Sequence, residues 1–135
     1  MISRLKFYLF ICLFVSIQCS SAMNYTFFIS YYVKYSGLFD RHVKEDYSVL
    51  DCVHFLNSNG IKVDWISLYQ NKPFDLKSMA RISGQTYLMF SGEKKSDSGF
   101  YELPENFNSW PEFCLLNDLK YIKTFNKLLE ISINL

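Results

Sequence analysis

The stretch DCVHFLNSNG, residues 51–60, contains residue types that could carry nucleophilic or acid–base chemistry. Cys52 and His54 could act as nucleophile and base, because a thiol needs a neighbouring imidazole to become a thiolate near neutral pH. In a helix, however, residues two apart point about 160° away from each other, which excludes this pair. Asp51 and His54 are three apart and share a face, so they form a candidate polar site. The alternative is an ordinary surface pair, or Asp51 used to cap the helix at Ser48.

The spacing of the remaining metal-ligating residues does not predict a metal site. The chain has two histidines, and the helix between His42 and His54 would separate them by about 18 Å. Neither a His-x-x-x-His motif nor a paired-cysteine motif is present. The sequence therefore predicts no catalytic residue, no metal and no cofactor.

The first 22 residues, MISRLKFYLFICLFVSIQCSSA, have the composition of a secretory signal peptide. Two basic residues precede an apolar run over residues 7–17, which is shorter than the roughly twenty residues that cross a bilayer. Small residues then end at Ala22, the expected cleavage site. Lipidation at Cys19 is the alternative, but Ile17 and Gln18 fit it poorly. We expect an exported protein, secreted or periplasmic, with one domain over residues 23–135.

Cleavage after residue 22 would leave Cys52 and Cys114 as the two cysteines of the exported domain. In an oxidising compartment the simplest prediction is one disulfide between them. The alternative is two buried free thiols.

The charge of the exported domain, about −1, is close to neutral. It gives no electrostatic reason to expect nucleic acid as a partner. We expect the membrane as a partner only through the signal peptide during export. A membrane-surface role for the amphipathic last helix is the rival interpretation.

Hydrophobic periodicity predicts an α+β sandwich, with a mixed sheet of about four strands, two long helices and one short helix in the order β-α-β-α-β-β-α. Strands are expected at residues 24–35, 61–69, 86–91 and 99–103, and the short helix at residues 75–82, closed by Gly84. One long helix is expected to end at Asn59-Gly60, and it can start either at Asp40 or at a capping-box pattern at Ser48. The other begins at Ser109, continues to about Ile131 and places Asp118 unexpectedly on its apolar face.

This element order resembles the thioredoxin-like fold. The resemblance implies that the two long helices share one side of the sheet, which would bring Cys52 near Cys114. Two features depart from redox thioredoxins: Leu38-Phe39-Asp40-Arg41 stands in place of the paired cysteines, and Gly84-Gln85 in place of a proline. Both argue against thioredoxin-type redox chemistry.

Aromatic residues make up 19% of the chain, and several lie on predicted faces whose other residues are mostly polar. Exposed aromatic side chains favour protein interfaces, whereas the alternative is that both faces of the sheet are covered. The candidate binding surface consists of Phe28, Tyr32, Phe55, Phe100 and Tyr101.

We therefore predict a small exported, non-catalytic protein that binds another protein, as an inhibitor, immunity, adhesion or effector protein. One alternative is a thioredoxin-fold thiol or chaperone-like factor of the cell envelope. Another is a small hydrolase that uses Asp51 and His54. Asn24 begins an Asn-Tyr-Thr glycosylation sequon.

Overall fold

The fold is built from α-helices. The structure, a computed structural model, describes residues 24–134; the predicted signal peptide lies outside this range. Within it, the helices are α1 (Tyr25–Tyr35), α2 (Val49–Ser58), α3 (Trp65–Tyr69), α4 (Leu76–Phe90), α5 (Trp110–Leu116) and α6 (Tyr121–Asn134). The β-structure of the described residues is one isolated antiparallel bridge, Asn24 to Pro73. The predicted α+β sandwich with a four-stranded sheet is therefore wrong, and the thioredoxin-like element order is wrong with it.

Helix α1 replaces the first predicted strand. The side chain of Asn24 caps it by accepting a hydrogen bond from the backbone N–H of Phe27 at 2.9 Å. Residues 24–35 are so rich in apolar residues that they satisfy a period of two and a period of 3.6 equally well. The positions that the structure buries follow the helical spacing of three and four: Tyr25, Phe28, Ile29, Tyr32 and Val33.

Helix α2 confirms the predicted capping box and the predicted end at glycine. The Ser48 hydroxyl accepts from the Asp51 N–H at 3.1 Å, and the Asp51 carboxylate accepts from the Ser48 N–H at 2.9 Å. At the other end Gly60 has φ +86°, and Ile61 donates its N–H to the Leu56 carbonyl at 2.9 Å. This is a Schellman motif, which satisfies the last carbonyl groups of the helix.

Helix α4 continues through Gly84, so the predicted short helix and the strand over residues 86–91 are wrong. The glycine permits a close approach between helices. A Cβ built at Gly84 would lie 2.5 Å from Cε3 and 2.7 Å from Cζ3 of Trp110, and 3.2 Å from Cδ1 of Phe113. A glycine inside an apolar helical pattern thus marks a packing contact here, not a helix end.

The predicted last helix begins as expected but divides in two. Ser109 caps α5 by accepting from the Glu112 N–H at 3.2 Å, and Pro111 lies in the first turn. The chain then breaks at Asp118, whose φ is +54°, before α6 begins. Asp118 is exposed at this break, which explains a carboxylate that a continuous helix would place on its apolar face.

The helices pack in two connected groups. Helix α1 contacts α2, α3 and α6, and α4 contacts α5 and α6. The main core lies around α1, and a smaller cluster of Leu88, Tyr101 and Phe113 lies between α4 and α5. None of the helices within residues 24–134 is both long enough and apolar enough to cross a membrane.

Candidate protein-binding surface

The Asp51–His54 pair does not form an acid-oriented imidazole in the structure. The Asp51 carboxylate is engaged in the capping box with Ser48, and no hydrogen bond joins it to His54 among the described residues. The His54 ring instead lies edge-on to Trp65, with 6.4 Å between the ring centres. Across residues 24–134, no three His, Cys, Asp or Glu side chains are grouped closely enough to hold a metal ion.

The predicted Cys52–Cys114 disulfide is absent from the structure, where both cysteines are buried free thiols. Cys52 lies on α2, which packs against α1, whereas Cys114 lies on α5, which packs against α4. Without a sheet, nothing aligns the two helices side by side. Burial raises the pKa of the Cys52 thiol, and it raises the pKa of Cys114 to about 11. Both thiols are therefore protonated near neutral pH and poorly reactive.

The aromatic residues proposed from the sequence as a binding surface are mostly buried. Phe28, Tyr32 and Tyr101 belong to the core, and Phe55 and Phe100 keep partial exposure. The Phe28 ring stacks on Phe74 with 3.4 Å between ring centres. The exposed aromatic side chains include others that lie elsewhere in the fold.

Helix α3 provides a surface of exposed aromatic side chains. Its Trp65, Ile66 and Tyr69 are 47%, 64% and 92% exposed. At 100° per residue these three positions span an arc of about 100° on one side of the helix. The opposite side carries Ser67 and Leu68, which contact the protein. We call Trp65, Ile66 and Tyr69 the α3 surface.

The backbone that carries the α3 surface is firmly held. The Asp64 carboxylate caps the helix by accepting from the N–H groups of Ile66 and Ser67 at 3.0 and 3.3 Å and from the Ser67 hydroxyl at 2.6 Å. The Ser67 hydrogen bond is the main reason that the pKa of Asp64 is lowered, so this cap remains ionised near neutral pH. Five residues form a marginal helix without such support, so the cap fixes the orientation of the exposed side chains.

The C-terminal end of α3 is tied to α1. The Ser67 carbonyl accepts from the Lys72 N–H at 3.0 Å, and the Lys72 carbonyl accepts from the Tyr25 N–H at 2.9 Å. The neighbouring bridge between Asn24 and Pro73 adds a further connection. The α3 surface is thus anchored at both ends.

Helix α2 extends the apolar area beside α3. His54 contacts Trp65, and Leu50 lies one turn before His54 on the same helix face and is exposed. The histidine of the DCVHFLNSNG stretch, His54, therefore lies beside the exposed Trp65. It belongs to an apolar surface and not to a charge pair with Asp51.

The sequence contained a signal for α3 that the periodicity concealed. Residues 61–65 alternate as a strand would, but Asp64 is one of the residue types favoured at a helix N-cap. Residues 61–64 lie in neither a helix nor a strand, and α3 begins at Trp65. The predicted strand over residues 61–69 is therefore wrong over its whole length.

A groove of about 840 Å³ between α5 and α6 is a second apolar feature. Its walls include Leu115, Leu119, Ile122, Lys123 and Lys127. Its apolar side chains are mainly aliphatic, and leucine is under-represented among the residues that dominate binding energy, whereas tryptophan and tyrosine are enriched. The α3 surface is accordingly the stronger candidate.

Comparisons with protein-family models, curated proteins and solved structures found no match for this chain.

Proposed function

We propose that this protein acts without catalysis, by binding another protein through the α3 surface. It would belong to the inhibitor, immunity, adhesion or effector type and would act after export, which itself remains a prediction from residues 1–22. The observation that carries the proposal is the exposure of Trp65, Ile66 and Tyr69 on one side of a rigidly capped helix.

The energetic argument is that large exposed apolar side chains contribute little to folding. Their contribution appears when a partner removes them from water, at about 25 cal/mol for each Å² of apolar surface. Tryptophan and tyrosine are common hot spots because they bury a large area with few rotatable bonds. Because the backbone beneath them is already ordered, binding costs less conformational entropy.

No observation favours the two alternatives. A thiol or chaperone-like factor of the cell envelope would need an accessible thiolate, whereas Cys52 and Cys114 are buried with raised pKa values. A hydrolase based on Asp51 and His54 would need the two side chains to meet, whereas Asp51 is engaged with Ser48.

The proposal can be tested by photo-crosslinking in the native host. A photoreactive phenylalanine analogue at Tyr69 should form an adduct with one protein, and the same analogue at Leu115 should not. Leu115 is a matched control because it is 77% exposed and lies on α5. The crosslinked protein is then purified, and its affinity is measured by calorimetry.

We expect Tyr69→Ala and Trp65→Ala each to weaken this affinity by on the order of tenfold or more, as hot-spot truncations do. Leu115→Ala should bind as the wild type does. Equal affinity of Tyr69→Ala and the wild type would contradict the proposal. A homodimer that Tyr69→Ala dissolves would also contradict it, because the partner would then be a second copy of this chain.

A further inference from the structure

A cavity of about 400 Å³ beside the start of α4 collects positive charge. Three cationic side chains line it, two from neighbouring turns of α4 and one from residues 61–64, which precede α3. One carboxylate lies among them, which leaves the described lining with a surplus of two positive charges. The lining residues are Tyr25, Lys62, Asp64, Lys77, Ser78, Arg81 and Trp110, and we call them the cationic cavity.

The positive charge of the cationic cavity is not neutralised by an ion pair. Among residues 24–134, no carboxylate lies within ion-pair distance of Lys62, Lys77 or Arg81. The lining carboxylate, Asp64, already accepts three hydrogen bonds at the start of α3. Like charges that converge on one concave surface raise its potential and attract an anion.

The cationic donors are partly fixed in position. Arg81 donates from Nη1 to the Lys62 carbonyl oxygen at 2.6 Å, which holds the guanidinium group against the backbone before α3. That bond uses one of the five N–H donors of the arginine. The Lys62 ammonium lies 6.0 Å from the centre of the Phe100 ring. An anion would therefore meet an Arg81 guanidinium group whose freedom is already reduced.

Neutral groups complete the cavity wall. The Tyr25 hydroxyl donates to the Ser78 Oγ at 3.1 Å, so the Ser78 hydroxyl keeps its own hydrogen to donate. The Trp110 ring packs over Gly84. It also lies edge-on to Phe113, with 5.6 Å between the centres of the Trp110 and Phe113 rings. The wall thus combines hydrogen-bond donors with an aromatic surface.

We propose that the cationic cavity binds a small organic oxyanion, which carries a phosphate or carboxylate group and an apolar part against Trp110. Guanidinium groups match both oxyanions through paired hydrogen bonds. The volume lies within the range of small-molecule sites, about 300–1,000 Å³. This site goes beyond the proposed protein binding, since it uses neither Trp65, Ile66 nor Tyr69.

The test uses the fluorescence of Trp110. The chain has two tryptophans, so Trp65→Phe leaves Trp110 as the only reporter, and Trp65 lies outside the cavity. The purified protein is titrated with phenyl phosphate, inorganic phosphate, benzoate and neutral phenol. We expect saturable fluorescence changes with phenyl phosphate and benzoate, weaker binding of inorganic phosphate, none of phenol, and loss of affinity with added salt.

Charge-removing variants show whether the named residues carry the binding. We expect Arg81→Gln to weaken phenyl phosphate binding by on the order of tenfold or more, as expected for a lost hydrogen bond to a charged group. Lys77→Gln should weaken it severalfold. The Lys77 side chain makes no hydrogen bond within residues 24–134, so this variant should fold even if Arg81→Gln does not. Lys127→Gln is the control and should bind as the parent does, because Lys127 is exposed on α6 and does not line the cationic cavity.

Three results would overturn the proposal. The first is the absence of saturable binding by any of the anions. The second is equal affinity for phenol and phenyl phosphate, which would indicate an apolar site without an anion requirement. The third is equal weakening by Lys77→Gln and Lys127→Gln, which would indicate nonspecific attraction. Tyr69 does not line the cationic cavity. A failure of anion binding would therefore leave the crosslinking test at Tyr69 unaffected.

Discussion

The close packing of Trp110 on Gly84 predicts that Gly84→Ala destabilises the protein, although alanine is the better helix former. In an exposed helix this replacement would stabilise by about 1 kcal/mol. Here the new Cβ would lie 2.5 and 2.7 Å from two carbons of the Trp110 ring. Carbon atoms pack best at about 3.5–4.0 Å, so the ring or the helix must move by about 1 Å.

The expected loss follows from these two opposing effects. Overpacking a close contact costs about 1–3 kcal/mol, and two short contacts to a rigid ring place Gly84→Ala near the upper value. Subtracting the gain in helix propensity leaves a net loss of about 2 kcal/mol. For a domain of this size that lowers Tm by about 10 °C.

Chemical and thermal unfolding followed by circular dichroism measure this loss. The partner experiment is the double-mutant cycle with Trp110→Ala, which removes the ring that meets the new methyl group. In that background Gly84→Ala should cost almost nothing or stabilise. Ser83→Ala, the neighbouring substitution on α4, should change stability by less than about 0.5 kcal/mol. A Gly84→Ala protein as stable as the wild type would refute the α4–α5 packing.

Two further predictions concern buried polar groups. Thr86 Oγ1 donates to the Ile82 carbonyl at 2.7 Å, so the Tyr32 hydroxyl, 2.8 Å away, must donate to Thr86. Tyr32→Phe should therefore lower the unfolding free energy by about 1 kcal/mol. Thr86→Val leaves the buried Tyr32 hydroxyl without its partner and should lower it by about 1–3 kcal/mol. A larger loss in Tyr32→Phe than in Thr86→Val would contradict this network. The pKa of Cys114 is raised from 9.0 to about 11, so above pH 9 the unfolded state loses a proton that the folded state keeps. The unfolding free energy should accordingly fall between pH 9 and 11, by at most about 1.4 kcal/mol per pH unit from this thiol. Denaturant unfolding at pH 8 and pH 10 measures this fall, which should be smaller in Cys114→Ala than in the wild type.

Local signals were sufficient to predict some helix ends. The capping box at Ser48, the glycine after Asn59 and the Ser109 start each act through hydrogen bonds between near neighbours in the chain. Such bonds depend little on the rest of the fold. These ends could therefore be read from the sequence and are confirmed.

The elements predicted wrongly are those that tertiary packing decides. Residues 24–35 are apolar on almost every side, so the face that α1 buries depends on its neighbours. From the sequence alone, Gly84 indicates a helix end. The contact that requires a glycine there is with the ring of Trp110, which lies 26 positions further along the chain. Neither fact is visible in a local window.

The aromatic residues predicted to form a binding surface are mostly buried for a related reason. Two of the five aromatic residues predicted to form the binding surface, Phe28 and Tyr32, interrupt the polar face of a predicted strand, and the change from strand to helix places both in the core. Since a strand alternates every two residues and a helix returns every 3.6, a wrong period exchanges buried and exposed positions. Trp65 and Tyr69 were overlooked because the same error placed them in a strand.

Asp64 connects the two proposed sites, because its carboxylate caps α3 and also lines the cationic cavity. The Ser67 hydrogen bond is the main cause of its lowered pKa, and the charge of Arg81 contributes further. An ionised carboxylate in this position therefore does two things at once. It keeps Trp65 and Tyr69 on an ordered helix, and it limits the positive potential that an anion would encounter beside Arg81. Loss of its charge would loosen the protein-binding surface while strengthening attraction in the cavity, so the two sites respond to Asp64 in opposite directions.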